Sequence, residues 1–206
     1  MIEKDISLAQ KRRYYQNNLE GKKHILLALH GYGQLAQFFY RKFNIIDEDW
    51  GLVVPEGPHR FYLNGSSGRV GASWMTKEWR DQDILENNAY LTALVHVIHE
   101  ENPNAQIHLL GFSQGGATAA RLYQSNPKLF VHLILWASIF PPDLEKSSFP
   151  LGAKLDFAIG QKDIFYESEN QKMIMADYKT LGFNIYQYNG GHNIDQNLLD
   201  TILSAM

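Results

Sequence analysis

The sequence predicts an α/β fold, a mostly parallel central sheet with helices on both faces, and three observations carry that prediction. Four apolar runs of strand length, His24–Leu29, Gln106–Leu110, His132–Ala137 and Lys154–Ile159, are nearly continuous rather than alternating, as in strands buried on both faces. Stretches of helical periodicity separate them, and a strand-helix-strand alternation implies parallel pairing with crossovers on both sides. Most of the runs stop at a glycine-containing or proline-containing turn. At 206 residues the chain is long enough for one well-buried core and short for two, so residues 1–206 are read as a single domain.

Each element follows from local pattern. Residues 4–17 alternate imperfectly through Ile6, Leu8, Arg13, Tyr14 and Tyr15, and are expected to form a pair of edge strands, with a helix as the competing assignment. His24–Leu29 is the first core strand and ends at His30-Gly31-Tyr32-Gly33-Gln34, where glycines permit a tight turn. Leu35 to Phe43 suits a short helix, and Gly51–Val54 a strand stopped by Pro55. From Glu56 to about Asp81 no clear period is visible. Segments this long are usually functional or disordered, and Phe61, Tyr62, Trp74, Met75 and Trp79 argue against disorder, so this one is expected to fold over something. Gln82 to Asn102 carries Ile84, Asn88, Leu91, Val95 and Ile98 at helical spacing and is ended by Pro103. A helix follows Gly116 and ends near Asn126-Pro127. His132–Ala137 and Lys154–Ile159 are strands, Glu167–Leu181 a helix and Phe183–Tyr188 a strand. Ile194–Ala205 is a final helix with Ile194, Leu198, Leu199, Ile202 and Leu203 inward.

Composition removes several classes of function. With 19 basic against 22 acidic residues, net −3, and no basic run, the chain is not expected to bind nucleic acid. The charged start Met1-Ile2-Glu3-Lys4-Asp5 lacks a signal-peptide core and no stretch reaches the roughly 18 apolar residues that span a bilayer, so a soluble, cytoplasmic protein without integral membrane association is expected. Zero cysteines exclude disulfides, thiolate metal sites and a cysteine nucleophile. A homodimer stays open. Asn64-Gly65-Ser66 is read as a turn rather than a glycosylation acceptor.

The chemistry concentrates at strand ends, where ligands collect in parallel sheets. Gly111-Phe112-Ser113-Gln114-Gly115-Gly116 lies between a strand and a helix, so Ser113 sits at the apex of a sharp turn with glycines two residues to either side. That is the nucleophile-elbow pattern, with the hydroxyl held out at a helix N-terminus. Asp163, in Gly160-Gln161-Lys162-Asp163, and His192, in Gly190-Gly191-His192, each follow a later strand. Their order, Ser then Asp then His, is that of α/β-hydrolase triads, and separations of 50 and 29 residues leave one strand-helix unit between members. In those roles His192 would take the Ser113 proton during attack on an acyl carbonyl and return it to the leaving group, with Asp163 orienting the imidazole. Two backbone N–H donors are needed for the oxyanion, Gln114 after the nucleophile and Tyr32 from the first loop.

Together, His30-Gly31-Tyr32-Gly33, Gly111-Phe112-Ser113-Gln114-Gly115-Gly116, Gly160-Gln161-Lys162-Asp163 and Gly190-Gly191-His192 resemble the small carboxylesterase/phospholipase-like family that includes acyl-protein thioesterases. The resemblance spans nearly the whole chain. It implies an α/β-hydrolase fold with little or no lid, a small-molecule acyl ester or thioester as substrate, and no metal or organic cofactor. Where that family often has Asp and a small residue after His-Gly-x-Gly, this chain has Gln34-Leu35. Trp74, Phe140 and Phe165 are candidates for an apolar substrate pocket, with core packing as the alternative. His96 and His99, at i and i+3, are read as a solvated helix face rather than a metal pair. Ser125-Asn126-Pro127-Lys128 has the Ser-x-x-Lys spacing, but Pro127 disrupts the turn that would aim the lysine. The reading from another class is a non-catalytic binding protein on the same fold.

Overall fold

A computed structural model describes residues 1–2, 4–44, 48–145, 149–150, 152–166 and 168–205. In chain order the elements are β1 (Tyr14–Gln16), β2 (His24–Leu29), α1 (Ala36–Tyr40), β3 (Trp50–Pro55), β4 (His59–Asn64), β5 (Ser67–Ser73), α2 (Arg80–Glu101) and β6 (Gln106–Phe112). They continue with α3 (Gln114–Ser125), β7 (His132–Trp136), β8 (Lys154–Gly160), α4 (Ser168–Thr180), β9 (Asn184–Tyr188) and α5 (Gln196–Ser204). The main sheet runs β1-β3-β2-β6-β7-β8-β9. All of its pairings are parallel except that of β1 with β3, which is the antiparallel edge.

Alternation along the buried strands sorts their side chains into two cores. Ile25, Leu27, Leu29, Ile107, Leu109, Leu133, Leu135, Leu155 and Phe157 face α2, α3 and α4, which supply Leu91, Val95, Ala119, Leu122 and Tyr178. Leu26, Ala28, Leu52, Val54, Leu110, Ile134 and Trp136 face α1 and α5, which supply Phe39, Leu199, Ile202 and Leu203. Helices therefore cover both faces, as the continuous apolar runs require. Burying such a side chain contributes about 1.5–3 kcal/mol, so the sheet's position is fixed by many small equal terms rather than by one contact.

Three expectations change. Of residues 4–17 only Tyr14–Gln16 is a strand, paired through Tyr14↔Pro55, and no second strand forms among the described residues there. Ile6 and Leu8 are exposed. Within the 56–81 segment β4 and β5 form a separate antiparallel hairpin, His59↔Ser73 to Asn64↔Ser67, turned at Gly65 with φ 60°. Its Tyr62 is exposed and its Gly71 packs against Gly33, so composition hid the alternation of His59–Asn64. In α2 the inward residues of the first turns are Asp83 and Asn87, not Ile84 and Asn88. Polar bonds decide that register: Asp83 pairs with His59 Nε2 at 3.0 Å and accepts from the Thr76 amide at 3.3 Å, and Asn87 donates to the Trp74 carbonyl at 2.6 Å. Glu167, the expected first residue of α4, lies outside the described residues.

Toward the amino ends of the strands a second polar row crosses the sheet on the α1/α5 face. His24 Nδ1 lies 3.1 Å from His108 Nε2, and His132 Nε2 lies 2.9 Å from Asp156 Oδ2, whose other oxygen accepts from Asn184 at 2.8 Å. Trp50 covers it, with ring centroids 4.9 Å from His24 and 4.7 Å from His108.

Candidate active site

Ser113 stands between β6 and α3 with φ 54° and ψ −119°, a conformation that non-glycine residues rarely adopt and that tertiary structure must hold. Part of that hold is the Ser113 amide, which donates to the Trp136 carbonyl on β7 at 2.8 Å. The rest is close backbone approach. A Cβ at Gly111 would lie 2.6 Å from the Gly116 Cα and 2.7 Å from the Ala119 Cβ, and one at Gly115 only 2.5 Å from the His30 carbonyl oxygen. The glycines let the first turn of α3 press against the ends of β6 and β2.

The loop after β2 runs beside the serine: a Cβ at Gly31 would stand 3.2 Å from the Ser113 Cβ. His30 anchors this loop rather than facing solvent. It is fully buried, its Nδ1 donates to the Gly31 carbonyl at 2.8 Å and its Nε2 accepts from the Gly57 amide at 2.9 Å. Burial lowers its pKa to about 4, so the ring is neutral, as that bonding pattern requires. Gln34, which departs from the resembled family, closes the turn: its side-chain oxygen accepts from the Gly31 amide at 3.1 Å. Tyr32 is exposed, with its ring 5.1 Å from that of Phe61 on the hairpin. Among the described residues no group accepts from the backbone N–H of Tyr32 or of Gln114.

Asp163 and His192 meet across the ends of β8 and β9. His192 Nδ1 lies 2.7 Å from Asp163 Oδ2, and the other carboxylate oxygen accepts from the Phe165 amide at 3.0 Å. With a carboxylate as partner Nδ1 carries the proton, which leaves Nε2 as the acceptor nitrogen. The two loops are laced together by Gln161 N–H to the Tyr188 carbonyl at 2.9 Å and Lys162 N–H to the Gly190 carbonyl at 2.9 Å. The imidazole is flanked by Phe112, the residue before Ser113, at 4.8 Å between centroids and by Phe165 at 4.5 Å. Asp163 is buried and the His192 side chain is 16% exposed.

The three pocket candidates separate. Phe165 is 68% exposed and lies over His192. Trp74 and Phe140 pack in the core on the α2/α3/α4 face. Trp74 is fully buried, with its indole N–H bonded to the His30 carbonyl at 2.8 Å, and Phe140 packs on Phe149 and Tyr178. A role for the side chain of Gln114 is not legible in the sequence: it bonds to Ser73, Trp74 and Met75. No signal in the sequence could have paired it with a segment some 40 residues earlier. His96 and His99 lie on α2, and among the described residues no group of three histidine or carboxylate side chains could hold a metal ion.

A family model described as serine hydrolase (FSH1) matches residues 19–199. No curated protein matches the sequence. Among solved structures, the carboxylesterase from Mesorhizobium loti superposes with a TM-score of 0.74 at 16% identity, covering 95% of each chain. Acyl-protein thioesterase 2 from Zea mays gives 0.67 at 16% identity over 94% of this chain and 98% of that one. Esterase PE8 gives 0.66 at 21% over 95% and 98%. At these identities the likeness establishes the α/β-hydrolase fold.

Proposed function

We propose that this chain, which belongs to the FSH1 serine hydrolase family, hydrolyses a carboxylic ester or thioester through an acyl-enzyme on Ser113. The observation that carries the reading is the 2.7 Å bond from His192 Nδ1 to Asp163, at the same sheet edge as a serine held at φ 54°. Oriented in this way, Nε2 accepts the Ser113 proton as Oγ attacks the acyl carbon. The tetrahedral oxyanion receives hydrogen bonds from the Tyr32 and Gln114 amides, whose freedom from other acceptors among the described residues supports the assignment. Collapse breaks the bond to the alkoxide or thiolate, which leaves with the proton from His192. Water then adds to the acyl-enzyme, its proton passing to Nε2 and on to the Ser113 oxygen as the carboxylic acid departs. Asp163 stays ionised and stabilises the transient imidazolium.

A fluorophosphonate probe tests this directly. Wild type should label and hydrolyse short acyl esters; Ser113→Ala should do neither, and His192→Ala should lose at least about 10⁴-fold in kcat. Labelling that persists in Ser113→Ala, or none in the wild type, overturns the proposal.

A further inference from the structure

The Gln114 side chain fastens the elbow to the segment Ser73-Trp74-Met75. Its Oε1 accepts from the Trp74 amide at 3.0 Å, and because that donor is backbone, the orientation of the amide is settled. Nε2 then carries two hydrogens, one toward Ser73 Oγ at 3.0 Å and one toward the Met75 carbonyl at 2.9 Å. Ser73 Oγ, accepting from Nε2, sends its own proton to the Met75 carbonyl at 2.8 Å. Each of the three hydrogens on Nε2 and Ser73 Oγ is thus used once, and the Met75 carbonyl accepts two of them.

The clamped segment is also what holds the first loop. The Trp74 indole donates to the His30 carbonyl at 2.8 Å, and Ala72, two residues earlier, accepts from the Gly33 amide at 2.8 Å and donates to the Gln34 carbonyl at 3.3 Å. Gly57 approaches the same strand end so closely that a Cβ there would sit 2.6 Å from the Ser73 carbonyl oxygen. Tyr32 lies within the stretch tied down by these bonds, and Gln114 N–H is on the residue whose side chain makes the clamp. The two amides are on segments far apart in sequence, so their separation depends on what fastens one segment to the other.

We infer that the Gln114 side chain is a positioning residue that sets the spacing of the two oxyanion donors by tying the elbow, through Ser73, Trp74 and Met75, to the 30–34 loop. This rests on the reading of Tyr32 and Gln114 as oxyanion donors. The β4–β5 hairpin becomes part of the catalytic frame without touching substrate. Its end strand transmits the position of the elbow to the loop opposite. A displacement of even about 1 Å between reacting groups can cost on the order of a hundredfold in rate, so loosening the clamp should act on the transition state and leave ground-state binding alone.

The test compares wild type with Gln114→Glu, which keeps the length and the acceptor for Trp74 but removes both N–H donors. Ser73→Ala, which deletes one oxygen and leaves the backbone in place, carries the same test with less burden on folding. With a p-nitrophenyl acyl ester, Gln114→Glu should lower kcat about tenfold to a hundredfold and Ser73→Ala about threefold to tenfold, KM staying within about twofold. Inhibition by a trifluoromethyl ketone of matched chain length, whose tetrahedral adduct uses the oxyanion donors, should weaken by the same factors. Unchanged kcat in both folded variants, or a rise in KM with ketone inhibition intact, overturns the inference. Failure of the parent reading shows separately, as a wild-type protein that does not label at Ser113.

Discussion

Among the described residues, an Asp–His hydrogen bond of nearly the same length lies at each end of the main sheet. At the carboxyl ends His192 lies 2.7 Å from Asp163; toward the amino ends His132 lies 2.9 Å from Asp156. The carboxylates are equally buried, but the histidines are not. His132 is fully sealed, and among the described residues its Nδ1 has no partner, as is true of His108 Nδ1 beside it. Taking His132 Nε2 as the donor to Asp156 leaves only a lone pair orphaned at Nδ1, a smaller cost than an orphaned N–H. His192 is partly open and packs on the residue before a strained serine. A carboxylate-oriented imidazole is thus a structural joint in one place and a candidate base in the other, and access with a neighbouring nucleophile makes the difference.

Removing each carboxylate should separate the two roles. Asp163→Asn is expected to lower kcat by about 10⁴-fold in a protein that remains folded, because the imidazole loses its tautomer and orientation. Asp156→Ala strands the sealed His132 N–H, so it should cost about 1–3 kcal/mol in denaturant unfolding while kcat per folded molecule is unchanged. Comparable losses of kcat in both variants would erase the distinction.

Acid should sharpen it next. Burial lowers the pKa of His30 to about 4, that of His108 to about 3, and that of His132 below its usual value of 6.5. The unfolded chain binds protons at these groups near pH 6.5 and the folded chain does not, so stability rises with pH through this window. The contribution is full above pH 6.5 and is lost as pH falls toward 4. Thermal melts between pH 7 and 4 should therefore shift downward, and the shift should shrink in a His108→Asn variant. The smallest effect is at the open pair: Phe165→Ala removes the ring over His192 while keeping the backbone amide on Asp163, and kcat should fall about threefold to tenfold.

Sequence by itself determined the sheet, because runs such as His24–Leu29 and His132–Trp136 are apolar on both faces and have no other stable place. It also singled out Ser113, Asp163 and His192 in order, since each ends a strand at a glycine-bearing turn. Tertiary structure decided what depends on partners distant in the chain. The inward choice of Asp83 over Ile84 follows from His59 and Thr76, the burial of Trp74 from a bond to His30, and the aim of the Gln114 side chain from Ser73 and Met75. Periodicity records which face of an element is apolar. Which polar group a buried donor will find is set only when the segments meet, and that step separates the His192 pair from its sealed counterpart at the other end of the sheet.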